Sequence, residues 1–340
     1  MADRIAKIAV SAATYWIDRP YDYLIPLELE DKVCAGMRVF VPFSNGNRKS
    51  EGIVLAVTEH SSFSRLKPIL AVIDEQPVLS VELIKLALFM RERFFCTVYE
   101  AAKAMLPAGL WINDDGKTRV QDKTVEMARL AVPAADALAA AEAKRRRSKQ
   151  QAAMLEELCA FEALPSGELM RHLGASRASI TALQKSGLVE LYRREVFRRP
   201  EVHIGELEPL PVLNQAQQKA YEGINALLLS GTAHAALLHG VTGSGKTSVY
   251  IHLIHSCLSA GRSAILLVPE IALTPQMLKT FSSHFGDNIA VLHSSLSTGE
   301  RYDEWKRVKR GSARVVIGTR SAIFAPVEAP GRIIIDEEQE

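Results

Sequence analysis

Gly240-Val241-Thr242-Gly243-Ser244-Gly245-Lys246-Thr247 decides the fold of this 340-residue chain. It satisfies Gly-x-x-x-x-Gly-Lys-Ser/Thr in full, the signature of a loop that wraps nucleotide phosphates. The apolar run Ala235–His239 precedes it, and the helical spacing of residues 246–260 follows. That strand–loop–helix order lets backbone N–H groups converge on phosphate at the positive end of a helix. Gly240, Gly243 and Gly245 supply the tight backbone. Lys246 is expected to reach the β- and γ-phosphates of ATP, and Thr247 to ligate Mg²⁺.

Outward from the loop, helix and strand patterns alternate. A helix over 214–229 leads into the strand 235–239, then come the helix 246–260 and the strand 264–269. Next are helix 274–285, strand 289–292, helix 299–310 and the strands 314–318 and 332–335. Such alternation predicts a parallel sheet with helices on both faces. The last strand, Ile333-Ile334-Ile335, ends in Asp336-Glu337-Glu338. Ligands of open parallel sheets bind at the carboxyl ends of the strands. Asp336 is therefore expected to hold Mg²⁺, and Glu337 to position and polarise the attacking water. Lys246, Asp336 and Glu337 form the expected catalytic set.

The preceding residues read differently. Residues 1–111 show short β-rich runs (5–12, 37–41 and 51–58) and then one helix over 81–99, as in a barrel-like or sandwich domain. Asn113-Asp114-Asp115-Gly116 reads as a linker. Residues 118–200 give a strand over 124–132, an Ala-rich stretch, and helices near 150–161, 166–172 and 176–186. The β-like run 188–199 closes the segment and carries Arg193, Arg194, Arg198 and Arg199. This is the element order of a winged helix, which serves DNA contact or protein contact. Residues 201–211 form a second linker before the phosphate-loop region, 212–340. The fold class is thus multidomain α/β: a β-rich barrel-like N-terminal domain, a winged helix, and a P-loop parallel-sheet lobe.

Bulk properties narrow the function. Hydrophobic residues make up 48% and charged residues 24%, within the range of globular proteins. No apolar run approaches the ~20 residues that span a bilayer. The N-terminus lacks a signal-peptide pattern, so a cytoplasmic protein is expected. Cys34, Cys96, Cys159 and Cys257 lie far apart, which argues against a disulfide framework or a zinc site within these residues. Net charge is only +2, but residues 141–200 hold 12 basic against 7 acidic side chains. That block is a candidate footprint for a phosphate backbone, or a solvated helical face.

An Asp-Glu box downstream of a Gly-Ser-Gly-Lys-Thr loop is the pattern of superfamily 2 helicases. Within them, the blocks 240–250, Leu267-Val-Pro-Glu-Ile-Ala-Leu-Thr-Pro-Gln276, Leu292-His-Ser294 and Gly318-Thr-Arg-Ser-Ala-Ile-Phe-Ala-Pro326 resemble the primosomal protein N′ family of replication restart helicases. Tyr21-Asp-Tyr23 and Arg38-Val-Phe-Val-Pro-Phe43 extend the resemblance to the N-terminus. It implies a domain that captures the 3′ end of a nascent leading strand, a winged helix on fork duplex, and the first of two RecA-like lobes. It further implies that Gln217, in Leu213-Asn-x-x-Gln217, reads the adenine. Matched residue by residue, the family's end pocket falls on Tyr21, Asp22, Ser44 and Lys67. Tyr21 would stack on the terminal base. Asp22 would accept from a 3′-hydroxyl and repel a 3′-phosphate, and Lys67 would contact a phosphate. Ser44 stands where the family often has glycine. Arg320 would contact the single-strand track.

The resemblance implies a 3′-to-5′ ATP-dependent helicase that acts on stalled forks and begins primosome assembly. Its implied partners are branched and single-stranded DNA, single-strand-binding protein and helicase-loading proteins, with a monomer expected. The family's second lobe, arginine finger and zinc-binding insertion match nothing in these 340 residues. The chain alone is therefore expected to hydrolyse ATP feebly and not to unwind. Gln339 replaces the histidine usual in the acidic box. Alternatives are a DNA-end-binding scaffold and an excision-repair type of superfamily 2 motor.

Overall fold

The computed structural model describes residues 4–111, 118, 120–199, 207–241 and 243–337. The Asn113–Gly116 linker, most of the second linker, Thr242 and Gln339 lie outside the described residues. The chain divides into two compact units: Gln121–Arg198, and the remainder on either side of it.

The larger unit begins with a curled sheet. β1 (Ile5–Val10), β2 (Tyr21–Leu24), β3 (Arg38–Phe43), β4 (Arg48–Thr58), β5 (Lys67–Pro68) and β6 (Ala71–Val72) form a six-stranded half-barrel in the order β5-β2-β1-β4-β3-β6. Neighbours are antiparallel except β2 and β5. Ile8, Val10, Tyr23, Val39, Val41 and Val54 fill its concave side. Helices α1 (Val81–Arg93) and α2 (Val98–Ala104) follow. The single helix expected over 81–99 is broken, because Thr97 and Glu100 form a capping box that starts a new helix.

Inside Gln121–Arg198 are β7 (Thr124–Leu130), α3 (Ala134–Lys144), α4 (Lys149–Ala160), β8 (Leu164–Pro165), α5 (Ser166–His172), α6 (Arg177–Lys185) and β9 (Val189–Glu195). The strands form an antiparallel sheet in the order β8-β7-β9. The helices enclose a core of Met154, Leu155, Leu158, Ile180 and Leu183. The Ala-rich stretch is itself a helix, one more than the sequence pattern suggests.

The third region contains α7 (Gln215–Leu229), α8 (Lys246–Ser259), β10 (Ser263–Leu267), α9 (Pro275–Phe285), β11 (Ile289–Leu292), α10 (Thr298–Lys309), β12 (Val315–Gly318) and β13 (Pro330–Ile335). Its four strands are all parallel, ordered β11-β12-β10-β13. Alternation along them feeds two cores. Ala264, Leu266, Val315 and Ile317 face α8 and α9, while Ile265, Ala290 and Val316 face Val308 and Ala322.

One expected strand is absent from this sheet. Among the described residues, 235–239 pair with no strand, and Leu237 is 76% exposed. They line a cleft whose other wall is β13, where Ile333 and Ile335 are more than half exposed. An apolar run becomes a strand only when a neighbour takes its backbone N–H and C=O groups, and here β13 ends the ladder.

The half-barrel region and the parallel-sheet region pack as one unit. Trp305 of α10, 5% exposed, joins the core formed by α1, α2 and Leu110. Lys309 donates its ammonium to the Pro77 carbonyl. A Cβ on Gly109 would lie 3.3 Å from Tyr302, so a small residue permits this close approach.

Candidate functional site

The phosphate loop is shaped by two residues in the left-handed region: Gly243 and Gly245, both at φ 81°. Side chains other than glycine rarely occupy that region. Gly245 is the N-cap of α8, so Lys246 and Thr247 open the helix where its free N–H groups and dipole favour phosphate. The Lys246 Nζ folds back onto the Gly240 carbonyl at 2.8 Å. It therefore sits over the loop whose phosphate it would contact.

Gln217 is held by the start of α7. Its side chain and that of Asn214 cap one another's backbone N–H groups, and its Nε2 donates to the Ser244 carbonyl at 3.0 Å. A Cβ on Gly245 would come within 2.3 Å of that Nε2 and push the glutamine off the loop, while the backbone angle itself favours glycine. The glutamine thus touches the phosphate loop itself.

At the far end of β13, Asp336 is fixed from two sides. Its N–H donates to the Leu267 carbonyl, and its Oδ1 accepts the Tyr250 hydroxyl at 3.0 Å. Glu337 follows at φ 55°, a left-handed angle that costs a non-glycine residue about 1–3 kcal/mol and is typical of functional turns. Gly240, Lys246, Tyr250, Asp336 and Glu337 all line the cleft of about 1150 Å³ opened beside β13.

These residues fit Mg²⁺ bound with nucleotide. Asp336 keeps an oxygen not used by Tyr250, and Thr247 is exposed at the helix start. Among the described residues no group of three His, Cys, Asp or Glu side chains is placed to hold a metal. Mg²⁺ commonly takes one or two protein ligands and completes its shell with phosphate and water, a set that Thr247 and Asp336 could supply. Arg320 is exposed at the head of a short 3-10 helix just after β12, at the same carboxyl edge of the sheet.

The second site lies on the half-barrel. Tyr21 packs edge-on against Phe43, with ring centroids 5.1 Å apart. Ser44, next along the chain, has φ 59°, which explains physically why glycine suits this position. Its carbonyl accepts the Lys67 ammonium at 2.6 Å, and Lys67 is placed by the parallel pairing of β5 with β2. Tyr21, Ser44 and Lys67 therefore share one rim.

Asp22 leaves β2 on the face opposite Tyr21. Its nearly buried carboxylate accepts Lys7 Nζ at 3.0 Å and Ser61 Oγ at 2.7 Å. Each oxygen retains capacity for another donor. Lys7 and Ser61 escaped the sequence reading, although the pairing of Lys7 with Asp22 follows from the β1–β2 register. Tyr250 lies in a quoted motif but carried no role there; the bond to Asp336 supplies one.

The fold and these geometries define a P-loop nucleotide-binding lobe joined to a β-rich domain. Residues 7–107 match the family described as the 3′DNA-binding domain, and residues 210–338 match the type III restriction enzyme, res subunit, family. Replication restart protein PriA of Bacillus subtilis is 36% identical to this chain, covering 98% of it and 49% of that protein. PriA of Chlamydia trachomatis is 34% identical over 98% of the chain and 44% of its own length. PriA of Haemophilus influenzae is 31% identical over 99% and 44%. The chain thus spans about half the length of the curated relatives it matches, and the resemblance to replication restart proteins is borne out.

Proposed function

We propose that this chain is the DNA-end-recognising and nucleotide-binding part of an ATP-dependent DNA helicase that restarts replication at stalled forks. The observation that carries the reading is the joining, in one compact unit, of a matched 3′ DNA-binding domain and a P-loop lobe whose acidic strand is tied to the loop's helix.

In this reading Tyr21, Ser44 and Lys67 form the wall for a terminal nucleotide: a ring for the base and an ammonium for the phosphate. Asp22, on the other face of β2, accepts the 3′-hydroxyl around the start of the strand, ahead of its pairing with β5, and its charge repels a 3′-phosphate. In the lobe, the N–H groups opening α8 cradle the phosphates, and Lys246 leaves the Gly240 carbonyl to contact them. Gln217 holds the loop and reads the adenine. Thr247 and Asp336 hold Mg²⁺, which would screen the charge of the phosphates. Glu337 orients the water that attacks the γ-phosphate, and Arg320 contacts the single strand. Catalysis of this kind rests on positioning and charge stabilisation, to which an arginine finger adds about 10³–10⁵ in rate. Residues 1–340 are read as binding nucleotide and DNA with little turnover.

Residues 118–200 are read as a winged helix that contacts duplex at the fork. Their sheet and helices support this, together with the exposed Arg146, Arg147, Arg193 and Arg194. Single-strand-binding protein and helicase-loading proteins are the proposed partners.

In the full-length protein, Glu337→Gln should bind ATP and forked DNA normally yet abolish hydrolysis and unwinding. Unwinding retained by that variant would remove the lobe from the motor role. Loss of fork binding along with hydrolysis would show that Glu337 serves the fold.

A further inference from the structure

Two aromatic rings stand almost wholly in solvent: Trp16 is 90% exposed and Phe95 95%. They come from separate segments, yet both rings meet Tyr15, with centroids 5.8 and 5.6 Å away. Phe94, the residue before Phe95, is exposed as well. Contiguous exposed aromatic surface of this kind marks a binding site more often than chance.

The group is held in place from beneath. Asp18 is buried, and its Oδ2 accepts Arg91 Nε at 2.9 Å and the Val98 N–H at 3.0 Å. The Arg91 guanidinium lies 4.2 Å from the Tyr15 ring centroid. The Tyr15–Asp18 segment is thus clamped to the junction between α1 and α2. A platform fixed in this way loses little freedom when a ligand arrives.

It is also continuous with the end site. The Tyr21 hydroxyl donates to the Ile17 carbonyl at 2.6 Å. The Arg19 guanidinium lies 5.6 Å from the Tyr21 ring and 5.9 Å from the Phe63 ring. Arg93 covers Phe89 at 5.4 Å. Rings interleaved with arginines suit single-stranded nucleic acid, whose bases stack whatever their identity while the cations follow the phosphates.

We propose that Trp16 and Phe95 form a stacking platform for the unpaired nucleotides that lie 5′ of the terminal two. This rests on the reading of Tyr21, Asp22 and Lys67 as the 3′-end site. The terminal nucleotide enters the end site, and the next bases pass over Arg19 to the two exposed rings. Stacking on a ring face is open to any base, so the platform does not depend on sequence.

The test uses residues 1–340 with oligothymidylates ending in 3′-hydroxyl, two or ten nucleotides long. Of the three tryptophans, Trp111 is half-buried and Trp305 buried, so acrylamide quenching reports chiefly on Trp16. The decamer should shield Trp16 from acrylamide. Trp16→Ala with Phe95→Ala should weaken decamer binding at least about fivefold. It should leave dinucleotide affinity and the melting temperature unchanged, and Trp16→Phe should restore most of the loss. Unaltered decamer binding by the double variant overturns the proposal and leaves the patch as a protein-docking surface. Asp22→Ala separates the underlying reading. If the end site is misassigned, dinucleotide binding ignores that change while the decamer still depends on Trp16.

Discussion

The Tyr250 hydroxyl donates to Asp336 Oδ1 across 3.0 Å, joining the phosphate-loop helix to the acidic end of β13 between residues 86 positions apart. A group that orients a metal-holding carboxylate typically contributes 10- to 100-fold to metal affinity or activity, by about that factor when it is mutated. Tyr250→Phe should therefore weaken Mg²⁺-dependent nucleotide binding by about 10- to 100-fold. Binding in EDTA should hardly change, which isothermal titration with and without the metal would show. Equal losses in both conditions would mean that Tyr250 serves the helix rather than the carboxylate.

Arg38 holds the half-barrel together from within. Its side chain is 1% exposed, meets Asp74 at 2.6 Å and Glu51 at 3.4 Å, and donates to the Leu110 carbonyl at 2.5 Å. Burial pushes the Glu51 carboxyl above its ordinary range, with Arg38 opposing that shift. Removing the guanidinium strands two acids, a change that typically costs about 3–5 kcal/mol. Arg38→Met should lower the urea midpoint accordingly, and adding Asp74→Asn should recover part of the loss. A midpoint unmoved by Arg38→Met would show that this network contributes no net stability.

Glu126 gives the 121–198 unit an acid-sensitive point. Hydrogen bonds from Arg177 and then Ser166 hold its carboxyl down at about 2, against 4.5 for a free glutamate. A folded value below the unfolded one stabilises fully above the unfolded value and fades as pH falls through the folded one. The contribution should be intact at pH 6 and mostly gone near pH 2. Amide exchange in β7 and α6 should be faster in Glu126→Gln than in wild type at pH 6, and the two should converge near pH 2.5. A difference that persists at low pH would assign the effect to packing.

The sequence carried the parallel-sheet lobe because each strand there has a short apolar run ended by turn residues. The run 264–269 became β10 and the run 332–335 became part of β13. It misjudged residues 81–99, where apolar spacing continues through Phe94 and hides the Thr97–Glu100 capping box. Residues 235–239 misled in the opposite way: their composition suits a strand, but pairing depends on a neighbour that local sequence does not contain. The site showed the same division. Lys246, Asp336 and Glu337 are candidates that local patterns, the loop and the acidic strand, put forward. Tyr250 as the partner of Asp336, and Lys7 and Ser61 as partners of Asp22, are long-range contacts that only the folded chain displays. The clamp of Asp18 on Arg91 and Val98, which sets out Trp16 and Phe95, is of the same kind.

The most direct measurement is fluorescence anisotropy of fork DNA whose leading strand ends in either 3′-hydroxyl or 3′-phosphate, with wild type and Asp22→Ala. Recognition of a 3′ end by Tyr21, Asp22 and Lys67 predicts tighter binding of the hydroxyl fork by wild type and loss of that preference in Asp22→Ala. Equal affinity for both forks, unchanged by Asp22→Ala, would contradict end recognition at this site.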